Sequence, residues 1–157
     1  MTFFESLEAS RVAEWVAASI WGYPITLTAH SVGLSIVVGI LFVLNLRLLG
    51  LLKGIPLDAL RGLLKLAWAG FLLNVVSGLA LFSSQATYFI THPAFLVKIS
   101  AIILASLDAV LIQRLLRKHG ADWDSDIAVP AGTRLLAALS LLLWLSAITA
   151  GRLIAYI

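Results

Sequence analysis

Four long apolar runs dominate this chain and leave it few ways to fold. They cover residues 24–49, 60–84, 94–116 and 133–156. At 1.5 Å per residue, each run is long enough to cross a hydrocarbon layer about 30 Å thick as a helix. Because 61% of the 157 residues are hydrophobic and only 12% are charged, a soluble globular domain is excluded. The runs predict an integral membrane protein that contacts the lipid bilayer.

Short connections separate the four runs. The first contains Gly50, Gly54 and Pro56, the second contains Ser84, Gln85, Thr91 and Pro93, and the third is an acidic segment over residues 118–130. Because short connections make consecutive helices antiparallel neighbours, the sequence predicts an all-α, up-and-down four-helix bundle. We expect residues 1–157 to form a single membrane domain.

The residues before the first run have a different pattern. Over residues 3–20, apolar side chains recur at helical spacing, with Glu5, Glu8, Arg11 and Glu14 between them. This amphipathic pattern predicts a helix that lies in the membrane interface, with Trp15, Trp21 and Tyr23 as anchors.

The positive charges indicate an orientation. Eight of the eleven Lys and Arg residues flank the first and third connections: Arg47, Lys53, Arg61, Lys65, Arg114, Arg117, Lys118 and Arg134. Cytoplasmic loops carry such an excess, so both termini are predicted to be periplasmic in a bacterial inner membrane. This explanation accounts for the net charge of +3 and leaves no reason to expect nucleic-acid binding.

Several functional classes can be set aside. The chain has no cysteine, which excludes disulfides and thiolate metal sites. It also has no phosphate-binding loop, nucleophile elbow or dinucleotide fingerprint. Any metal must therefore be held by nitrogen or oxygen ligands.

Three ionisable side chains fall inside the runs, where such groups are costly unless they have a partner or a ligand. In the predicted topology, His30 lies about 9 Å below the outer boundary, and Lys98 and Arg152 each lie about 6 Å from it. Ser77 of the second run comes to a similar level. The sequence therefore predicts one outer layer in which these residues meet.

Each of these side chains also has an ordinary explanation. Lys98 and Arg152 could extend along their alkyl stems to the headgroups, and His30 could simply hydrogen-bond a neighbouring helix at Ser77 or Thr149. Two deeper residues, Asn74 and Asp108, are interpreted as structural, with Asn45, Arg47 and Arg114 as candidate partners of Asp108. The alternative is a proton path that runs outward from Asp108.

The chemistry of the layer suits haem b. A neutral imidazole can ligate the iron, while a Lys and an Arg can pair with the two propionates. Gly33, one turn after His30, would leave room for a flat ring, and His92 is a candidate second ligand. His119 is expected on a solvated face.

The residues that support this hypothesis also carry a resemblance. The segments Tyr23-Pro24 to Gly33, Pro93 to Lys98 and Trp144 to Arg152 resemble a family of small uncharacterised bacterial four-span membrane proteins. His30 followed by Gly39, with residues 88–98, is more distantly similar to copper-resistance D type proteins and to four-helix membrane protoporphyrinogen oxidases. The oxidases bind haem b through a first-helix His, and the resemblance implies that role for His30.

These observations predict a membrane-embedded b-type haem protein for electron transfer or redox sensing near the periplasmic side. It would be a membrane oxidoreductase or its cytochrome-like subunit, assembled as a homo-oligomer or in a larger complex, with a quinone or a periplasmic protein as redox partner. The alternatives are a structural or accessory subunit without a cofactor and a small carrier for copper or another solute.

Overall fold

The computed structural model describes residues 2–125 and 127–156 and consists of helices. They are α1 (Phe3–Glu8), α2 (Arg11–Ala18), α3 (Gly22–Leu48), α4 (Leu57–Ser83), α5 (Ala86–Phe89), α6 (Pro93–Asp124) and α7 (Ala131–Leu153). The described residues contain no strand. The all-α prediction is confirmed.

Helices α3, α4, α6 and α7 are long and apolar enough to cross a membrane. Only 22–28% of the most apolar window of each is buried within the bundle, so most of their apolar surface faces outward. An apolar outer surface of this extent requires lipid around it. The prediction of four spanning helices is confirmed.

The four helices run up and down. Helix α3 packs along α4, α6 packs along α7, and α3 and α7 join the two pairs, while α4 and α6 touch less. Aliphatic and aromatic side chains from all four helices fill the centre. Helices α3 and α6 both begin at one end of the bundle, and we call this end the terminal end.

Helix α3 crosses α4 at a pair of glycines. A Cβ atom added to Gly33 would lie 2.7 Å from the backbone N of Asn74 and 2.7 Å from the carbonyl O of Gly70. Because a real Cβ atom cannot approach a backbone that closely, the two helices can meet here only at a small residue. This crossing fixes the height of α3 relative to α4.

Helix α6 is longer than the sequence predicts. The prediction ended this span at residue 116, but the helix continues to Asp124 and so includes the first part of the predicted acidic loop. Trp123 is buried in the core. Asp124 accepts a hydrogen bond from the backbone N–H of Leu57 at the start of α4. Asp126, also assigned to that loop, lies outside the described residues.

Asp124 joins three helices at the end opposite the terminal end. Its Oδ1 atom accepts hydrogen bonds from Arg47 Nη2 at 3.0 Å and from the backbone N–H of Leu57 at 2.9 Å. Arg47 also donates through Nε to the carbonyl of Ile55 at 2.7 Å. A carboxylate at a helix N-terminus is favoured by the helix dipole, so Asp124 caps α4 while it pairs with α3. Arg47 is therefore committed to Asp124 and not to Asp108.

Replacing Asp124 with Asn should destabilise the bundle by about 2 to 3 kcal/mol, because hydrogen bonds to a charged group are worth about 1.5–3 kcal/mol. The matched control is Asp58→Asn. Asp58 is largely exposed and pairs with Arg61 at 3.6 Å, and such surface pairs contribute about 0.2–1 kcal/mol. Chemical denaturation in detergent measures the unfolding free energy of both variants. Equal losses would contradict the role assigned to Asp124.

The N-terminal segment forms two short helices where the sequence predicted one. Thr2 and Glu5 form a capping box around α1, and the Ser10 hydroxyl accepts from the backbone N–H of Ala13 to begin α2. The second N-cap breaks the helix because its residue takes an extended conformation. Helix α2 packs on α3 and α4, with Ala13 and Val16 buried.

Helix α1 is fastened to α5 beside the bundle. Glu8 Oε1 accepts from the backbone N–H of Thr87 at 2.9 Å and from its hydroxyl at 2.8 Å. These bonds lower the pKa of Glu8 because they favour the carboxylate. Phe82, Phe89 and Phe95 stack nearby, with the ring centroids of Phe82 and Phe95 5.3 Å apart, and Phe4 meets Phe82 edge to face. Helices α1 and α2 therefore pack against the terminal end of α4 and against α5.

Candidate functional site

His30 projects from α3 toward α4 and is half-buried. Its Nδ1 atom lies 3.0 Å from the backbone carbonyl O of Asn74 and 3.3 Å from Ser77 Oγ. A carbonyl oxygen can only accept, so Nδ1 must carry the proton. The hydroxyl of Ser77 donates to the carbonyl of Leu73 at 2.6 Å. The neutral ring therefore keeps its lone pair on Nε2, which has no hydrogen-bond partner among the described residues.

Asn74 completes the attachment of His30. Its side-chain Nδ2 donates to the carbonyl of His30 at 2.8 Å, so each of the two residues bonds the backbone of the other. Gly78 provides the space for the ring, since an added Cβ atom would lie 3.0 Å from His30 Cε1. The position and tautomer of the imidazole are thus fixed by three residues of α4.

Lys98 reaches the same layer from α6. Its stem lies against Gly151 of α7, where an added Cβ atom would be 3.3 Å from Cδ and 3.5 Å from Nζ. The ammonium group lies within electrostatic range of the His30 imidazole. In the part of the chain that the structure describes, Lys98 has no ion pair and no side-chain hydrogen bond. A half-buried cation with no hydrogen-bond or ion-pair partner among the described residues therefore lies within electrostatic range of His30.

Arg152 lies at the predicted level but points elsewhere. Its side chain is exposed, and its guanidinium carbon lies 5.8 Å from the centroid of the Tyr156 ring. Gly151, the preceding residue, faces Lys98, and consecutive helical residues are rotated by about 100°. The structure therefore brings His30 into contact with Ser77, places Lys98 within electrostatic range of His30, and leaves Arg152 on the surface. We call His30, Asn74, Ser77, Gly78 and Lys98 the His30 cluster.

Gly33 does not provide the space that the sequence suggested. The region in front of its Cα atom is filled by the backbone of Gly70 and Asn74. A flat ring has no room there, because the two helices are already in contact. Gly33 instead holds α4 close enough for Asn74 to reach His30.

The other two histidines lie at the two ends of α6. His92 precedes α6 as its N-cap residue and is buried, with its ring 5.1 Å from that of Tyr88. His119 is exposed enough to be solvated, stacks on Trp123 with centroids 5.9 Å apart, and lies 3.7 Å from Asp122. It lies within α6 and not in a loop.

Across residues 2–125 and 127–156, no three His, Asp or Glu side chains converge in a group able to hold a metal ion. Family models, curated proteins and solved structures give no match to this chain. The resemblances to the small four-span family, to the copper-resistance proteins and to the oxidases therefore remain predictions. The site has to be interpreted from its own geometry.

Sequence reasoning missed three residues of the site. Asn74 was interpreted as a structural residue at greater depth, and Gly78 and Gly151 were not assigned to the site. A signal was present on α4, because Asn74, Ser77 and Gly78 are spaced by three and four residues and so share one helix face. No comparable signal existed for Gly151, since its role depends on how α7 is rotated toward α6.

Proposed function

We propose that this membrane protein binds haem b through Nε2 of His30 and takes part in electron transfer or redox sensing. The observation that carries the proposal is the bond between His30 Nδ1 and the carbonyl of Asn74. Histidines that ligate metals usually donate their other ring N–H to a carbonyl or carboxylate, which fixes the tautomer and raises ligand basicity. Bound haem would supply one-electron redox chemistry at this position.

The chemistry of His30 and Lys98 fits haem b in two respects. His30 presents a neutral nitrogen with a free lone pair, as axial ligation requires. Lys98 presents a positive charge in the same layer, and an ammonium group can pair with a carboxylate such as a propionate. Arg152 supports the proposal less, because its guanidinium already contacts Tyr156. His92, which is buried beside Tyr88 at the start of α6, remains a proposed second ligand.

Lys98→Met should weaken haem retention roughly tenfold, because a hydrogen bond to a charged group is worth about 1.5–3 kcal/mol. Methionine keeps most of the apolar stem beside Gly151 and removes the charge. The measurement is the rate of haem transfer to an excess of a haem-scavenging protein. Arg152→Met is the matched control and should change this rate much less. Faster loss from the Arg152 variant alone would contradict the role of Lys98.

A cofactor-free structural subunit is the second candidate. The reciprocal bonds between His30 and Asn74 favour it, since they tie α3 to α4 without any ligand. A colourless protein after haem supplementation would support this candidate. Metal analysis of the same preparation tests the third candidate, a carrier for copper or another solute.

The charge distribution supports the proposed setting. Eight Lys and Arg residues flank the end of the bundle opposite the terminal end, which favours a cytoplasmic position for that end. The His30 cluster and both termini would then be periplasmic in a bacterial inner membrane. The proposed assembly is a homo-oligomer or a larger complex, with a quinone or a periplasmic protein as redox partner, in the manner of an oxidoreductase subunit.

A further inference from the structure

Asp108 is a buried carboxyl group in the middle of α6 that the His30 cluster does not use. It is 4% exposed, and neither of its oxygens has a hydrogen-bond partner among the described residues. Buried polar groups nearly always have partners. An unpartnered carboxyl group in the interior of a membrane bundle therefore needs its own explanation.

Two further unpartnered groups lie on the facing side of α7. The Ser140 hydroxyl lies beside the Asp108 carboxyl, outside hydrogen-bonding geometry, and Ser140 is 0% exposed. Trp144 is one turn further along the same face, and its Nε1 atom is also buried without a partner in the described part of the chain. An acid, a hydroxyl and an indole N–H thus occur in one interface, each with bonding capacity unused.

No positive charge compensates Asp108. Within residues 2–125 and 127–156 it has no ion pair. On its own helix, the nearest cations are Lys98, about 15 Å along the axis, and Arg114, about 9 Å along it. Of the cations on the other long helices, Arg47 is paired with Asp124. The others are exposed: Arg61, Lys65, Arg134 and Arg152. An ionised carboxylate at this position would carry an unbalanced charge in hydrocarbon, which is strongly unfavourable.

We propose that Asp108 is a proton-binding site, a neutral carboxylic acid whose O–H group donates to Ser140. This state removes the charge and pairs two of the three unpartnered groups, the Asp108 carboxyl and the Ser140 hydroxyl. A metal cation fits less well. Only Asp108 and Ser140 offer side-chain oxygens there, the helix carbonyls are bonded along the helices, and the indole N–H cannot ligate.

This inference does not depend on haem binding. It gives the bundle a second chemical property, the ability to hold one proton between α6 and α7, away from both ends. A membrane protein that exchanges such a proton can couple another step to proton uptake, and proton relays in membrane proteins commonly use Asp side chains of this kind.

Infrared spectroscopy of the full chain tests the proposal. The protein is measured at neutral pH in a detergent without ester carbonyls, where a protonated carboxylic acid gives a separate C=O stretching band. We expect the band in the wild type, its loss in Asp108→Asn, and its retention in Asp124→Asn, in which a paired carboxylate is removed. Absence of the band from the wild type, or its full persistence in Asp108→Asn, would overturn the proposal.

Should Asp108→Asn fail to fold, the wild type alone still decides the question. Protein labelled with ¹³C at the aspartate carboxyl carbon should show the band at lower frequency, because the heavier carbon slows the C=O stretch. A band that does not move would come from a glutamic acid and would contradict the assignment. Aspartates on the surface are ionised at neutral pH and do not contribute.

Discussion

Replacing His30 with alanine is expected to abolish haem binding by the protein. The variant removes Nε2, the one atom of the His30 cluster that can ligate iron, and alanine offers no substitute. Because changes even in the residues behind a ligand cost about 10–100-fold in affinity, the haem-to-protein ratio should fall by more than about tenfold. The Soret absorbance of purified protein, divided by its absorbance at 280 nm, measures this ratio.

His119→Ala is the matched control for this experiment. It removes an imidazole of the same size that stacks on Trp123 at the opposite end of the bundle, so the Soret band should persist. His92→Ala asks separately whether a second histidine ligates, since losing one of two axial ligands changes the spectrum without removing the haem. A Soret band of full height in His30→Ala would refute ligation by this residue.

Gly33→Ala should have the largest effect on stability. The added methyl group would lie 2.7 Å from two backbone atoms of α4, and a backbone cannot move aside as a flexible side chain can. Overpacking costs about 1–3 kcal/mol, and separation of the helices would also weaken the bonds between His30 and Asn74, each worth about 1 kcal/mol. We expect a loss of about 3 kcal/mol in unfolding free energy, together with weaker haem retention.

The same helix contains the control for this prediction. Among the described residues, no atom outside the local backbone of α3 lies within 4 Å of a Cβ added to Gly39, so Gly39→Ala makes the same chemical change without a clash. Because alanine favours the helix over glycine by about 1 kcal/mol, this variant should be as stable as the wild type or more so. Denaturation in mixed micelles compares the unfolding free energies of Gly33→Ala and Gly39→Ala. Similar behaviour of both variants would show that α3 and α4 do not meet at Gly33.

The four spans could be predicted from the sequence because the hydrophobicity of a run depends only on its own residues. The residue at which α6 ends could not be predicted in this way. Residues 118–124 are polar and look like a loop, and they become helical because Trp123 enters the core and Asp124 caps α4, both of which require contacts distant in sequence. The break between α1 and α2 was accessible in principle, since Ser10 is a typical N-cap residue.

The height of each site residue along its helix could be predicted from the sequence, but the direction of its side chain could not. Counting residues along each span placed His30, Lys98 and Arg152 in one layer, because the helical rise is constant. Which of them face one another depends on the rotation of each helix about its axis, and this is set by packing. Gly151 against Lys98 turns Arg152 outward, and Gly33 against Gly70 turns His30 toward Asn74.

The absorption spectrum of the wild-type protein tests the central proposal most directly. Protein purified in mild detergent from haem-supplemented membranes should be red and show a Soret band, with α and β bands after reduction by dithionite. The haem content by pyridine haemochrome should approach one haem per chain or per pair of chains. A colourless, correctly folded protein would contradict haem binding and leave the His30 cluster as a structural link between helices.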